Sequence, residues 1–389
     1  MKKLFVIGFA ALLLLAFTAP VMAKVDIHGI VFTDFYYYKV DQENTIINPS
    51  GDDFSATYIQ VPDITRINVI WTNEHGVGMR FETGHGDEDS DNTAHVGLRH
   101  AYGWWDATPN FQLMAGHSTT PFSPLNPNQL MGLRSPGIHI IGIGYGEFYS
   151  GRFSQVRGTY KFGKMGDIAV ALCDPTVATN PLGLAPQAGK AVANDSKLPR
   201  IDVGVKLVFG PVTLYPGVMY QKQTYDNAAS GQDDDVTTWA VSLGLKGGFG
   251  PVAVEAEVNY GQNMGNVRGS YGILSPPSLV DSAVLTAGGK VENADCLGYW
   301  IDLSVKAGMA TPHFIYGSYK VKNNLPTGVD TDAKATMYGI HVVIPVAQTY
   351  MIRPEVMIYD NGDNNDIFGV KSVDYGKETL AGVVFMVVF

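Results

Sequence analysis

The sequence predicts an all-β fold, a transmembrane antiparallel β-barrel of about 16 strands. Apolar and polar residues alternate with period two over segments of about ten residues, which is typical of strands with one lipid-facing and one water-facing side. The polar breaks that separate these segments are alternately very short and rather long. The 389-residue chain is 46% hydrophobic and 16% charged. Its mean hydropathy of +0.03 is too low for a bundle of membrane helices, each of which needs about 20 consecutive apolar residues.

The first 23 residues have the pattern of a cleaved secretory signal peptide. Lys2 and Lys3 form a basic beginning, an apolar run extends from Leu4 to Phe17, and a small residue, Ala23, stands where a signal peptidase would cut. The alternative is a membrane anchor, but the apolar run is short for one. We therefore expect residues 1–23 to be removed.

The mature chain, residues 24–389, is predicted to be a single transmembrane barrel domain. Removal of Lys2 and Lys3 changes the formal net charge from -10 to -12. A net negative charge disfavours nucleic acid as a partner. Every later apolar stretch is interrupted within about a dozen residues by Gly, Pro or a charge, so any membrane crossing must use strands.

Strand alternation is clearest in the last segment of the chain. Every second residue from Ala381 to Phe389 is apolar, and the chain ends on the aromatic Phe389. The same alternation recurs over 201–209 and 252–260. One face of each segment suits lipid, while the other carries Gly, Thr, Ser and charged residues that suit a wet lumen.

Counting the segments between breaks gives sixteen strands, with seven tight turns and eight long loops. An outer-membrane barrel needs this asymmetry of short periplasmic turns and longer extracellular loops, and an even strand number lets the first and last strands pair. The short turns lie near 73–76, 108–110, 163–166, 210–211, 248–251, 310–312 and 345–347. The long loops are rich in Asp, Asn, Gly and Pro and run roughly over 40–56, 84–93, 118–148, 175–199, 223–235, 263–297, 323–333 and 361–376.

Aromatic residues cluster near the ends of the predicted strands. Such positions favour the interfacial girdles of a barrel over a buried core, because an amphipathic ring is stable at headgroup depth. The residues are Tyr36, Tyr37, Tyr38, Tyr102, Trp104, Trp105, Trp239, Tyr299, Trp300 and Tyr350.

Four stretches carry a family resemblance: Val25-Asp-Ile-His-Gly-Ile-Val31; Thr65-Arg-Ile-Asn-Val-Ile-Trp71 followed by Gly78-Met-Arg-Phe-Glu-Thr83; Leu98-Arg-His-Ala-Tyr-Gly103 followed by Gln112-Leu-Met-Ala-Gly-His-Ser118; and the terminal Phe389. In this order, and together with the signal peptide, they resemble the Gram-negative general porins. That family consists of sixteen-stranded, usually trimeric channels. The resemblance covers essentially the whole mature chain.

The resemblance implies a location and several partners. It implies the bacterial outer membrane, a homotrimer, and contact with the lipid bilayer and lipopolysaccharide. It also implies that the barrel-assembly machinery reads the terminal strand, with Phe385, Val387 and Phe389 as the assembly signal.

In this family the third long loop folds into the lumen and narrows the pore. The matching constriction loop is residues 118–148, which is unusually apolar for an exposed loop. Family loops commonly carry several carboxylates, whereas this one has only Glu147, with Arg134 and His139 nearby. The usual acidic side of the constriction is therefore in question.

Strand parity puts four arginines on the polar face of the early strands, Arg66, Arg80, Arg99 and Arg157. Because a guanidinium stays charged, such a wall attracts anions. The equally weighted alternative is ordinary lumen charges paired with acids such as Glu82. Acidic loops at 87–91 and 233–235 would instead concentrate cations at the mouth.

The motifs of other function classes are missing from the sequence. It contains no nucleophile elbow, phosphate loop or paired-histidine metal motif, and we expect neither an enzyme nor a cofactor. Whether Cys173 and Cys296 form a disulfide stays open.

The function we predict is passive diffusion of small hydrophilic solutes and ions through a water-filled pore. Two alternatives stay open. One is a substrate-specific channel of the same fold. The other is a plugged barrel with a structural or partner-binding role.

Overall fold

The computed structural model describes residues 23–41, 52–62, 64–86, 95–131, 134–135, 138–139, 144–148, 151–175, 194–227, 232–267, 281–285, 290–324, 330–364 and 373–389. The predicted signal peptide lies outside these residues except for Ala23, and it stays a prediction. None of the described residues belongs to a helix that is long and apolar enough to cross a membrane.

In the described part of the chain, sixteen strands form one antiparallel sheet. In chain order they are β1 (Lys24–Val40), β2 (Phe54–Gln60 and Thr65–Thr72), β3 (Val77–Gly86), β4 (His95–Thr108), β5 (Phe111–Thr119), β6 (Arg152–Lys161), β7 (Gly166–Cys173), β8 (Arg200–Phe209), β9 (Val212–Asn227), β10 (Gln232–Phe249), β11 (Val252–Gln262), β12 (Asp295–Val305), β13 (Thr311–Asn324), β14 (Asp330–Pro345), β15 (Tyr350–Asp360) and β16 (Lys377–Val388).

Short elements accompany the barrel strands. A two-residue strand, Asn194–Asp195, adds to β9, and single 3-10 turns occur at Gly163–Met165 and Met264–Asn266. Three small hairpins lie in the long loops: Arg134–Ser135 with Ile138–His139, Val284–Leu285 with Val291–Glu292, and Asp363–Asn364 with Val373–Asp374.

The sheet closes on itself, because β1 pairs with β16 as well as with β2. At the seam the Gly29 amide donates to the Phe389 carbonyl at 2.9 Å and the Phe389 amide returns a bond of 3.1 Å to Gly29. A closed antiparallel barrel leaves no unpaired sheet edge, which a membrane-spanning sheet requires. The predicted fold class is therefore confirmed, with sixteen strands.

Between the described strands, seven turns lie at one end of the barrel and eight connections lie at the other. Two predicted long loops are shorter than expected, because their flanking strands continue. β9 and β10 stay paired up to Asn227 and Gln232, and β13 and β14 up to Asn324 and Asp330. Polar residues can extend a ladder beyond the lipid-facing band, which composition alone does not reveal.

Alternation along each strand separates an outward from an inward face. In β1 the side chains of Phe35 and Tyr37 are exposed, while Asp34, Tyr36 and Tyr38 are buried toward the lumen. The inward side chains are therefore not polar on all sides of the lumen. One large apolar cluster fills the side formed by β9 to β16 and β1.

This inner cluster is built around two long connections. L3 (residues 120–151, between β5 and β6) contributes buried residues such as Phe122 and Phe148, and L6 (residues 263–294, between β11 and β12) contributes Met264 and Val267. Among the described residues, β2 to β8 contribute none of its fully buried members. The two sides of the lumen thus differ in chemistry.

The prediction of aromatic girdles holds for only some of the rings. Tyr37 and Trp105 are exposed on the outer face, but Tyr36, Tyr38 and Trp300 are buried in the inner cluster. Odd or even position along the strand decides whether a ring lies on the outer face or in the inner cluster, because neighbouring residues of a strand point to opposite faces. The two cysteines, Cys173 and Cys296, are both buried and do not form a disulfide with each other.

The seam between β1 and β16 allows a test of closure. A Cβ at Gly29 would lie 2.5 Å from Cζ of Phe389 and 2.6 Å from the Arg66 carbonyl oxygen, whereas a Cβ at Gly97 would meet nothing within 4 Å. We expect Gly29→Ala to lower the temperature at which the barrel unfolds in detergent. Unfolding is followed on a gel as the loss of the fast-migrating band of the folded barrel. Gly97→Ala is the matched control, and equal midpoints for the two variants would contradict this account.

Candidate functional site

A cluster of charged side chains lies on the inner face of β2 to β4. Glu82 is at its centre, with Arg80 Nη2 2.5 Å from Oε2 and Arg99 Nε 2.7 Å from Oε1. Arg80 Nε also donates to Asn68 Oδ1 at 2.8 Å. Both oxygens of this buried carboxylate are therefore held by guanidinium groups.

Two further arginines add positive charge to the same place. Arg66, whose Nη1 donates to the Ile64 carbonyl at 3.4 Å, lies within electrostatic range of Arg99, Arg152, Arg80 and Glu82. Arg66, Arg80, Arg99 and Arg152 thus lie near one another, and Arg80 and Arg99 bond the Glu82 carboxylate. Together these five groups carry a net positive charge.

A β-bulge creates part of this cluster. The pairing between β3 and β4 shifts after Glu82, so that Glu82 faces His100 while Thr83 faces Leu98. The extra residue in β4 is Arg99, and both it and His100 reach the lumen. His100 Nδ1 lies 3.1 Å from Ser118 Oγ. Simple alternation would have placed Arg99 and His100 on opposite faces.

The structure does not bring all the predicted site residues together. Arg157 Nη1 donates at 3.4 Å to the carbonyl of Thr119, the last residue of β5 before L3. Glu147 is buried in L3, where the carbonyl of the preceding Gly146 accepts a 3.0 Å bond from Asn259 of β11. β11 lies on the far side of the barrel from β3. The side chain of Arg134 lies outside the described residues.

The polar wall stays partly accessible. The side chains of Arg80 and Arg99 are 28% and 13% exposed, compared with 5% for Arg353 across the lumen. The inward residues of β2 to β8 are mostly polar, and their buried members include Asn68, Ser118 and Gln155. Hydrophilic solutes can therefore contact this side of the lumen.

Loop L3 is held against the opposite wall by a clamp on β15. The Glu355 carboxylate accepts the backbone amides of Leu130 and Met131 at 2.9 and 2.7 Å. Arg353 Nε lies 3.2 Å from Glu355, and the guanidinium donates to the Asn128 carbonyl. Backbone donors buried in L3 thus have charged acceptors on the wall.

Further bonds join L3 to the same side of the barrel. Tyr359 Oη donates to the Met131 carbonyl at 2.6 Å, and Ser123 Oγ donates to Glu257 Oε1. Tyr145 Oη donates to Asn361 Oδ1. The described parts of L3 therefore cross the lumen and pack on β11 to β15.

A cavity of about 290 Å³ lies beneath L3, near the turn end of β9 to β13. Two polar pairs line it: Lys246 with Glu255 in an ion pair at 2.8 Å, and His313 Nδ1 with Asp302 Oδ1 at 2.9 Å. Asn128 of L3 lines the same cavity. Among the described residues, no group of three or more His, Cys, Asp or Glu side chains could hold a metal ion.

Comparison with known families decides the classification. The sequence profile of the Gram-negative porins matches residues 10–363. The chain belongs to the Gram-negative porin family. It is therefore an outer-membrane pore for the passive diffusion of small hydrophilic solutes. Porins are channels rather than enzymes.

Solved structures share the fold of this porin. The outer membrane channel DcaP of Acinetobacter baumannii is 19% identical with a TM-score of 0.70, covering 95% of this chain and 99% of its own. An anion-selective porin from Comamonas acidovorans is 14% identical with a TM-score of 0.62, covering 94% and 100%. A trimeric form of OmpT from Vibrio cholerae is 13% identical with a TM-score of 0.57, covering 95% and 100%. A comparison with curated protein sequences finds no match.

Sequence reasoning missed several residues of the porin lumen. Arg152, the first residue of β6, lies within electrostatic range of Arg66 and His100, and His100 is turned inward by the bulge. Arg353 and Glu355 are two residues apart in β15, so parity did indicate a common face. Their role depends on L3, which lies more than 200 positions earlier in the sequence.

The clamp on β15 makes a testable prediction. In Arg353→Met/Glu355→Leu, the amides of Leu130 and Met131 lose their acceptor, and each unpartnered buried group costs about 1 to 3 kcal/mol. We expect L3 to loosen, so that single-channel conductance and open-channel noise both increase by roughly 1.5-fold.

The control for this prediction removes an ion pair at the turn end, Lys161 with Asp106, which are 3.3 Å apart. Lys161→Met/Asp106→Leu should leave conductance and noise at the wild-type values. If the clamp variant behaved like this control, Arg353 and Glu355 would not position L3.

Proposed function

We propose that the aqueous path of this porin runs along the β2 to β8 wall and favours anions. The observation that carries the proposal is the arginine cluster at Glu82: Arg80 and Arg99 bond its carboxylate, and Arg66 lies within electrostatic range of all three and of Arg152. The opposite side of the lumen is occupied by the apolar cluster built on L3 and L6. Solutes that avoid this apolar side pass the arginines.

Electrostatics support an anion preference at this wall. A guanidinium group keeps its proton at any physiological pH, so the positive charge of the cluster is permanent. Inside a narrow pore flanked by protein, charges act on ions more strongly than in bulk water. The acidic residues 233–235 lie in β10 beside its loop end and affect cation concentration only at the mouth, because screening limits their range to about 8 Å at physiological ionic strength; the acidic run at 87–91 lies outside the described residues.

L3 acts as the constriction in this proposal. Its bonds to Glu355, Arg353 and Tyr359 hold it across the lumen. It thus faces the arginine wall, which is the inner face of β2 to β4 with Arg66, Arg80 and Arg99. The predicted constriction segment, residues 118–148, contains the residues that form these bonds. Size exclusion then results from the gap between L3 and β2 to β6.

Several finer features of the porin remain part of this proposal. We propose a homotrimer that contacts lipopolysaccharide, a signal peptide removed after Ala23, and no catalytic activity or cofactor. The terminal strand with Phe385, Val387 and Phe389 would be the assembly signal. Similar porins described as trimeric and as anion-selective support the oligomer and the charge preference.

Neutralising the cluster tests the selectivity. We expect Arg66→Gln/Arg80→Gln/Arg99→Gln to reduce the chloride-to-potassium permeability ratio by at least roughly threefold, because the permanent positive charge of the wall is lost. The ratio is measured from the reversal potential in a potassium chloride gradient across a planar bilayer.

A charge-matched control separates this local effect from that of total charge. Lys320, Lys322 and Lys334 lie on the outer face of β13 and β14, and their replacement by Gln removes the same charge. The permeability ratio should stay at its wild-type value in this control. An unchanged ratio in the arginine variant would rule out the arginine wall.

A substrate-specific channel is the second candidate, and the cavity beneath L3 favours it. The Lys246–Glu255 ion pair, the His313–Asp302 hydrogen bond and the Asn128 side of L3 offer both donors and acceptors to a small polar solute. Saturable block of the ion current by one solute at low concentration would support this candidate over general diffusion. If the purified protein gave no conductance, a plugged barrel would be the correct alternative.

A further inference from the structure

We propose that L6 is a second constriction element, which closes the loop end of the barrel over β8 to β13. Solutes would then enter only beside the arginine wall. This inference rests on the proposed function, since it narrows a path that must first conduct. It concerns the described parts of L6, residues 263–267, 281–285 and 290–294.

Three inward side chains of the wall, on two strands, hold L6. Arg200 of β8 donates from Nη1 to the Val267 carbonyl at 3.4 Å. On β13, Tyr319 Oη donates to Asp281 Oδ2 at 3.1 Å and Asn323 Nδ2 donates to the Ser282 carbonyl at 3.0 Å. L6 is thus attached to both flanks of the region that it covers.

Asn263 and Asn266 organise L6 internally. Asn263 has a left-handed backbone with a φ of 58°, and its Nδ2 donates to the Thr237 carbonyl of β10 at 2.8 Å. Its Oδ1 accepts the amide of Ala294 at 2.9 Å, and Asn266 Oδ1 accepts the amide of Ala283 at 2.9 Å. The side chains of Asn263 and Asn266 therefore bond backbone groups that no sheet pairs, and they join the beginning of L6 to its end.

Apolar residues of L6 face inward. Met264 and Val267 are fully buried in the inner cluster, and Ala283 packs with Tyr225 and Val236 on the inner faces of β9 and β10. A loop that projected into water would expose these side chains, at a cost of about 25 cal/mol for each Å². Their burial indicates that L6 is part of the lumen filling.

The consequence concerns pore size. A barrel of 16 strands with a bare lumen leaves a wide aqueous channel. L3 closes the β11 to β15 side near the middle, and L6 closes the β8 to β13 side nearer the loop end. The inward residues that hold L6 are therefore specificity-determining positions.

Tyr319→Phe/Asn323→Ala removes the two bonds from β13 and tests this inference. Wild type and variant are compared in a Cys173→Ser background, in which Cys296 is the one remaining cysteine of the sequence. Cys296 is fully buried beneath L6, with its sulfur 3.9 Å from the Asp281 carbonyl oxygen. A small water-soluble methanethiosulfonate reagent therefore reports whether L6 covers this wall.

If L6 is a constriction element, the variant should label Cys296 at least tenfold faster than its parent. Its single-channel conductance should rise by roughly half, and its chloride preference should fall toward unity because the added path lacks the arginine cluster. Asn266→Ala loosens L6 without altering the wall and should shift all three readouts in the same direction. Tyr316→Phe changes an outward tyrosine of the same strand and should shift none.

Equally fast labelling of Cys296 in parent and variant would overturn the inference, because L6 would not cover the wall. Slow labelling in the parent, fast labelling in the variant and an unchanged conductance would also overturn it, since L6 would cover the wall without narrowing the path. A lack of conductance in every protein would instead refute the proposed function, and the labelling rates would still show whether L6 is a cover.

Discussion

The pairing of β1 with β16 is the constraint on which the rest of the structure depends. In a hydrocarbon environment an unpaired backbone amide or carbonyl costs several kcal/mol, so a sheet that spans lipid must close. Closure fixes the register of all sixteen strands, and the register fixes which side chains face the lumen. The bonds between Gly29 and Phe389 place the C-terminal residue itself in this seam.

Within the closed wall, the two sides of the lumen have different physical roles. The β9 to β16 side forms an apolar core with L3 and L6, much like the interior of a soluble protein. The β2 to β8 side keeps charged and polar groups, and its arginines are balanced by the carboxylate of Glu82 only in part. A barrel can thus combine a stabilising core with a polar path, provided that its loops fold inward.

The sequence predicted the barrel and much of its polar wall because period-two alternation is a local property. Arg66, Arg80 and Arg157 were placed on the inner face by parity alone, and the structure puts them there. Arg99 also faces the lumen, as parity predicted, whereas His100 reaches it only because of a bulge that parity cannot foresee. Parity indicated the face of Glu355, but the roles of Glu355 and Tyr319 in holding the loops could not be predicted, because their partners are remote in sequence.

The sequence by itself determined the strand number, the outward and inward faces of the strands and the family, since each follows from local pattern along the chain. Only the tertiary structure decided what fills the lumen. Apolar inward residues such as Met337 and Trp300 look like exceptions to a polar face until L3 and L6 pack against them. Whether an inward side chain is buried depends on which loop packs against it from across the barrel. Strand periodicity is a local property and carries no information about such remote contacts.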